Sequence, residues 1–191
     1  MRILFFLLLG LPALCHAETA APWDVQQLMQ HMAQVTEAKA TFVENKFLSV
    51  LERPLKSSGT LFFQAPGHLE KHTLAPKVES LVLDQGVLTI DSKARNIKRT
   101  LVLQEYPAIW AIVESIRSTL AGDLPTLQRF YQIELEGDAA RWKMKLLPLE
   151  QKTRDAISEI RVGGHGNWVD SIETMEANGD HAQMKMVEEL P

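Results

Sequence analysis

Short apolar runs recur along this chain, separated by turns rich in glycine, proline and Asx residues. Most alternate with polar residues at a period of two. Such alternation indicates half-buried antiparallel strands. Ile133 and Leu135 alternate with Gln132, Glu134 and Glu136, and Trp142, Met144 and Leu146 with Arg141, Lys143 and Lys145. Ala182, Met184 and Met186 alternate with Gln183 and Lys185. From Ser58 to Asp91 four runs are punctuated by Gly59, Pro66, Pro76 and Gly86. Proline cannot donate to a ladder, so Pro66 and Pro76 mark strand ends. The reading gives about eleven strands. Six lie near residues 40–51, 57–65, 68–74, 77–84, 87–92 and 95–103; five lie near 131–137, 140–147, 156–163, 167–176 and 180–188. Asp84-Gln85-Gly86, Gly137-Asp138 and Asn178-Gly179-Asp180 supply hairpin turns.

Two stretches depart from this period. From Pro22 to about Ala38, Val25, Leu28, Met29, Met32 and Val35 fall on one helical face, and Pro22 suits a helix start. From Pro107 to Phe130 the rhythm breaks again. Ile109, Ile112, Val113, Ile116 and Leu120 repeat at helical spacing, with Glu114, Arg117 and Ser118 opposite. Gly122 is placed to end this helix and Asp123 to cap a second. A sheet of this many strands tends to curl. Two helical segments cannot cover both its faces, so a partly closed barrel is expected, mainly β with some α, with Ile109, Ile112, Val113 and Ile116 forming a lid over its mouth.

The N-terminus bounds the compartment. Arg2, an apolar block from Ile3 to Leu14 and Cys15-His16-Ala17 before Glu18 have the form of a cleavable secretory signal. The apolar block is shorter than the roughly 20 residues a membrane-spanning helix needs. Leu14 stands where a lipoprotein signal places a small residue, so cleavage after Ala17 is expected rather than lipidation of Cys15. That removes the chain's one cysteine and leaves residues 18–191 as a single domain held by its core alone. The mature charge is −5, from 19 basic and 24 acidic residues. A nucleic-acid partner would call for a basic face. A soluble, monomeric periplasmic protein is expected, not membrane-spanning.

Candidate chemistry is sparse. His68, Glu70 and His72 share one strand face, a metal-ligand vocabulary. The weightier reading is a solvated outer face, with Leu69, Lys71 and Thr73 inward. Gly163-Gly164-His165-Gly166 lacks the Lys-Ser/Thr of a phosphate loop and reads as a hairpin turn. No Gly-x-Ser-x-Gly elbow is present. Glu44 and Lys46 fall on one side of the first strand and are expected to pair. No catalytic residue, metal or cofactor is assigned. Trp142, Met144, Met184 and Met186 either fill a core or line a cavity, a use that methionine's adaptable side chain suits.

The order and spacing of several short motifs resemble the LolA family of periplasmic lipoprotein carriers, in its divergent LolA-like branch. The motifs are Phe42-x-Glu44-x-Lys46, then Gly59-x-Leu61 leading to Pro66, Leu69 and Pro76. Further along come Leu83-Asp84-x-Gly86-x-Leu88-x-Ile90, Trp142-x-Met144-x-Leu146-x-Pro148 and Asn178-Gly179-Asp180. The resemblance covers nearly the whole mature chain. It implies an unclosed antiparallel β-barrel of about eleven strands under a helical lid, carrying acyl chains. Its cargo would be acylated lipoprotein or lipid, with an inner-membrane exporter and an outer-membrane acceptor as partners. The cavity it implies is lined by Phe42, Leu61, Phe63, Leu69, Lys71, Leu88, Ile90, Ile133, Leu135, Trp142, Met144, Leu146, Met184 and Met186. Two positions depart from the family pattern. Ala65 stands where the better-known carriers have an arginine linking barrel to lid, and Lys71 where they have a cavity-facing aromatic residue. Both favour a non-protein lipid or lipid-like pigment as alternative cargo. Rivals from other classes are a lipid-modifying enzyme and a filled scaffold that binds a protein by its rim.

Overall fold

The alternating runs are realised as one sheet. The computed structural model describes residues 23–189. Helix α1 (Val25–Met32) is followed by β1 (Glu37–Phe47), β2 (Leu55–Gln64), β3 (His68–Ala75), β4 (Glu79–Asp84), β5 (Val87–Ser92) and β6 (Ile97–Val102). Helices α2 (Pro107–Leu120) and α3 (Leu124–Phe130) interrupt the strands. The chain then continues as β7 (Tyr131–Asp138), β8 (Arg141–Pro148), a single turn α4 (Gln151–Arg154), β9 (Ile157–His165), β10 (Trp168–Glu176) and β11 (His181–Glu188). The 11 strands form one antiparallel sheet in the order β6-β5-β4-β3-β2-β1-β11-β10-β9-β8-β7. Strand β1 pairs with β11 at the centre, while β6 and β7 are the two unpaired edges, so the barrel is unclosed. The segment from β6 to β7 joins those edges, which places α2 and α3 between them.

Local chemistry sets the turns. Gln85 and Gly86 both have positive φ (46° and 78°), the pair a tight hairpin turn demands. Gly122 has φ +65° and follows α2; Asp123 caps α3 by accepting from the Thr126 N–H. Proline ends β2 and β3 one or two residues before Pro66 and Pro76.

The first helix is shorter than its apolar stripe suggests. Asp24 caps it by accepting from the Gln27 N–H, and it stops at Met32, leaving Val35 in the connection to β1. Its end packs on Gly122, where an added Cβ would lie 2.2 Å from Met29 O and 2.6 Å from Ala33 N. Residues 37–40 join β1 because Ala38 and Ala40 pair opposite Phe63 and Leu61. Pro22 and the signal segment lie outside the described residues.

The core occupies one half of the inner face. Leu28, Met29 and Met32 of α1, with Leu124 and Leu127 of α3, pack onto Trp142, Met144, Leu146, Ile160 and Val162 of β8 and β9. Trp142 lies over Gly164, and its indole N–H donates to Gly166 O at 3.0 Å. A Cβ at Gly164 would sit 2.5 Å from Trp142 Cζ2 and 2.1 Å from Trp168 O.

Gly164→Ala should therefore lower stability by about 3 kcal/mol in urea unfolding, as overpacking does. Gly166→Ala, with nothing within 4 Å of its Cβ but φ at +52°, should lose about 1 kcal/mol.

Candidate functional site

On β2–β5 the inner face is arranged in rows. Strand register aligns Phe63, Leu69, Leu83 and Leu88 in one row. The next holds Leu61, Lys71, Leu81 and Ile90, and the third Gly59, Thr73 and Glu79. Across β1 the face continues from Phe42 to Met186, and from Glu44 to Met184, Ile172 and Val162. All fourteen residues named above as cavity lining fall on this one face, but their environments divide. Trp142, Met144 and Leu146 are fully buried under the helices, with Ile133, Leu135 and Met186 packed against that core. Phe42 and Phe63 are buried, while Leu61, Leu69, Lys71, Leu88, Ile90 and Met184 are only half-buried. The face is thus a filled half under α1 and α3 and a half-covered apolar trough on β2–β5.

Lys71 sits in the trough's middle row. Its Nζ donates to Glu44 Oε2 at 2.8 Å and lies 4.9 Å from the Phe42 ring centroid. Lys71 thus reaches from β3 over β2 to β1, past Gly59, where an added Cβ would lie 1.9 Å from His72 O because the β3 backbone approaches closely. Ser57 Oγ donates to the same Glu44 oxygen at 3.2 Å. The pair is three-quarters buried, at 25% and 23% side-chain exposure. Glu44 does not pair with Lys46, as spacing suggested; Lys46 reaches Glu176 at 2.8 Å instead. Beside the Lys71 pair opens a polar cleft of about 310 Å³, walled further by Thr73, Lys77, Glu79, Ser92 and Arg95. Arg95 pairs with Glu79 across it.

Helix α2 reverses the expected packing. Its fully buried face is the small and polar one, Ala111, Glu114, Ser115, Ser118 and Thr119; Ile109, Ile112, Val113 and Ile116 are half-buried. Small side chains allow close helix contact. Their hydroxyls are satisfied locally: Ser115 Oγ donates to Ile112 O and Thr119 Oγ1 to Ser115 O. Arg117 ties this helix to the sheet. Its Nε donates to Glu114 (2.7 Å), Nη2 to Asp123 (2.8 Å) and Ser118 (3.0 Å), and Nη1 to Pro66 O (3.1 Å). The aliphatic stem passes over Gly67 in the β2–β3 turn. Burial alone would raise the Asp123 carboxyl, but hydrogen bonds from Arg117 and Thr126 hold it below the usual carboxylate range.

The His68, Glu70 and His72 side chains form a chain on the outer face. Glu70 bridges His68 (2.7 Å) and His72 (2.6 Å), and His68 also faces Asp84 at 3.4 Å. No group of three metal-ligating side chains stands in coordinating geometry among the described residues. Gly163, Gly164 and His165 belong to β9, so the turn is confined to Gly166 and Asn167.

Sequence reasoning missed Leu81 and Leu83 because Leu81-Val82-Leu83 is a continuous apolar run without a readable parity. It also placed Arg117 merely on α2's polar side. The one available signal was that Arg117 lies three residues after Glu114, a spacing that brings two side chains together on a helix.

A family model described as outer membrane lipoprotein carrier protein LolA-like matches residues 17–187. Among curated proteins, none matches the sequence. Solved structures are similar at low identity. A LolA superfamily protein from Nitrosomonas europaea has TM-score 0.44 and 6% identity, over 87% of this chain and 94% of that one. LprF from Mycobacterium bovis has TM-score 0.37 and 10% identity, over 87% and 93%. The MucA/MucB complex of Pseudomonas aeruginosa has TM-score 0.48 and 12% identity, over 86% and 56%. No helix among the described residues is long and apolar enough to cross a membrane.

Arg117→Met should cost about 3 kcal/mol in urea unfolding, because it leaves the buried Glu114 carboxylate without its cation. Exposed Arg161→Met should cost about 0.5 kcal/mol or less.

The outer-face cluster predicts a pH profile. Glu70, then Asp84, raises the His68 pKa above 6.5, outweighing burial. Its stabilisation is complete below that value and lost as pH climbs through the raised one. Glu70, hydrogen-bonded by His68 and His72, is lowered from 4.5, so its contribution holds above 4.5 and fades as pH falls through the depressed value. Thermal midpoints should peak between about 4.5 and 6.5, and His68→Gln should flatten the decline above that window.

Proposed function

We propose, from the premise that this chain belongs to the LolA-like family of outer membrane lipoprotein carrier proteins, that it is a non-enzymatic periplasmic carrier of acyl-bearing cargo. The observation that carries the reading is the half-covered apolar trough on β2–β5, beside a fully packed core in the same sheet. Monomeric proteins rarely leave a contiguous apolar surface open without a use for it. Leu61, Leu69, Leu81, Leu88 and Ile90 offer the wall, and the half-buried stripe of α2 offers a cover. Burying about ten methylenes gives roughly 8 kcal/mol, near micromolar affinity before ordering costs. Such binding needs no catalytic group.

Lipoprotein is the first cargo, with an inner-membrane exporter and an outer-membrane acceptor as partners. A free lipid or pigment is favoured by the two departures at Ala65 and Lys71. The barrel-to-lid tie that Ala65 cannot make is supplied from the other side, by Arg117 reaching Pro66 O.

Protein purified from the periplasm should release acyl lipid on organic extraction, identified by mass spectrometry; clean protein that also takes up no acyl probe would contradict the carrier reading. Val113→Asp with Ile116→Asp should weaken binding of a fluorescent acyl probe about tenfold, with the urea midpoint little changed. Unaltered affinity would remove α2 from the cargo path.

A further inference from the structure

We propose that the polar cleft beside Lys71 seats the anionic head of a single-chain amphiphile, whose chain runs along the trough towards α2. The inference rests on the carrier reading and adds to it an orientation and a head-group class. Its basis is a polarity gradient along the strands. The row nearest the Arg117-bound turn is wholly apolar: Phe63, Leu69, Leu83 and Leu88. One row on, Lys71 replaces one of four apolar positions. A further row on, beyond Phe42 and Gly59, the side chains are Thr73 and Glu79, with Ser57, Ser92 and Arg95 around them. Successive same-face rows lie about 6.7 Å apart, so the apolar length is bounded at one end by the helix and at the other by a charged cleft.

The cleft's charge selects the head. Lys71, Lys77 and Arg95 stand against Glu44 and Glu79, three cations to two carboxylates. Each carboxylate already has its cation, Lys71 for Glu44 and Arg95 for Glu79, while Lys77 has no ion pair among the described residues. An ammonium has three donors, of which Glu44 takes one and the Phe42 face shields another side. What remains of Lys71 faces the place where apolar wall gives way to cleft. At about 310 Å³ the cleft suits a head group, with the trough left for the chain. A carboxylate or phosphate accepts charge-assisted hydrogen bonds from such a cluster, and a hydroxyl head forfeits most of that gain. The reverse orientation would press the anion against four apolar side chains.

Delipidated protein should be titrated with dodecanoate, dodecyl phosphate and dodecanol by calorimetry. The wild type should bind one or both anions about tenfold tighter than the alcohol, the worth of one charge-assisted hydrogen bond. The preferred anion identifies the head. Lys71→Met should remove that preference and leave dodecanol affinity within about twofold. Because this variant strands Glu44, Lys71→Met with Glu44→Gln is made alongside it and should behave alike. Equal affinity of the wild type for all three ligands, or an anion preference that survives both variants, would overturn the head-group seat and leave the carrier reading standing. Failure of the folded wild type to bind any of the three would overturn both.

Discussion

A single sheet of 11 antiparallel strands buries one face, and too little helix lies over that face to bury all of it. This mismatch between sheet area and helical cover governs the rest of the structure. Helices α1 and α3 are spent on β8 and β9, where the core is buried around Trp142. The inner face of β2–β5 is left half-covered, with α2 tied to its β2–β3 turn by Arg117. An antiparallel sheet with its edges β6 and β7 unpaired can tolerate this, since opening the gap breaks no ladder hydrogen bond between them.

Helix α2 is held by polar contacts as well as by Ala111, Ile112 and Leu120, which pack on the core. Glu114, Ser115, Ser118 and Thr119 are buried and internally satisfied, and Arg117 links them to the β2–β3 turn. Apolar contact is non-directional and would let the helix settle deeper into the trough. A hydrogen-bonded arginine fixes its height, because a sunken helix would forfeit the Pro66 carbonyl. The same arrangement explains why isoleucine and valine side chains remain half-buried on a helix with a clear apolar face.

Much of the fold was legible because a strand with one wet face writes its parity into the sequence. Ile133, Leu135, Met144 and Met184 could be assigned an inward direction from their neighbours alone, and glycine and proline marked the turns. Where parity was blurred, reading failed: Val35 continued a helical stripe that the chain abandons at Met32, because Ala38 and Ala40 complete the sheet. The buried face of α2 was illegible for a different reason. Its burial is decided by the close approach at Gly122 and by the helices beside it, which no local pattern carries. The Lys71–Glu44 pair joins β3 to β1 across the strand between them, a partnership set by sheet order rather than by nearness in the chain. Spacing along β1 pointed to Lys46 instead.

On the carrier reading the two halves of the inner face differ in kind, one a packed core and the other a receiving surface. Methyl-resolved NMR of isotope-labelled protein during titration with an acyl ligand tests this most directly. Methyl resonances of Leu61, Leu69, Leu81, Leu88 and Ile90 should shift and show contacts to the acyl chain, while those of Leu28, Leu127 and Leu146 stay in place. Ligand contacts confined to the Leu28, Leu127 and Leu146 side, or to the outer face around Val43 and Val187, would contradict the carrier reading.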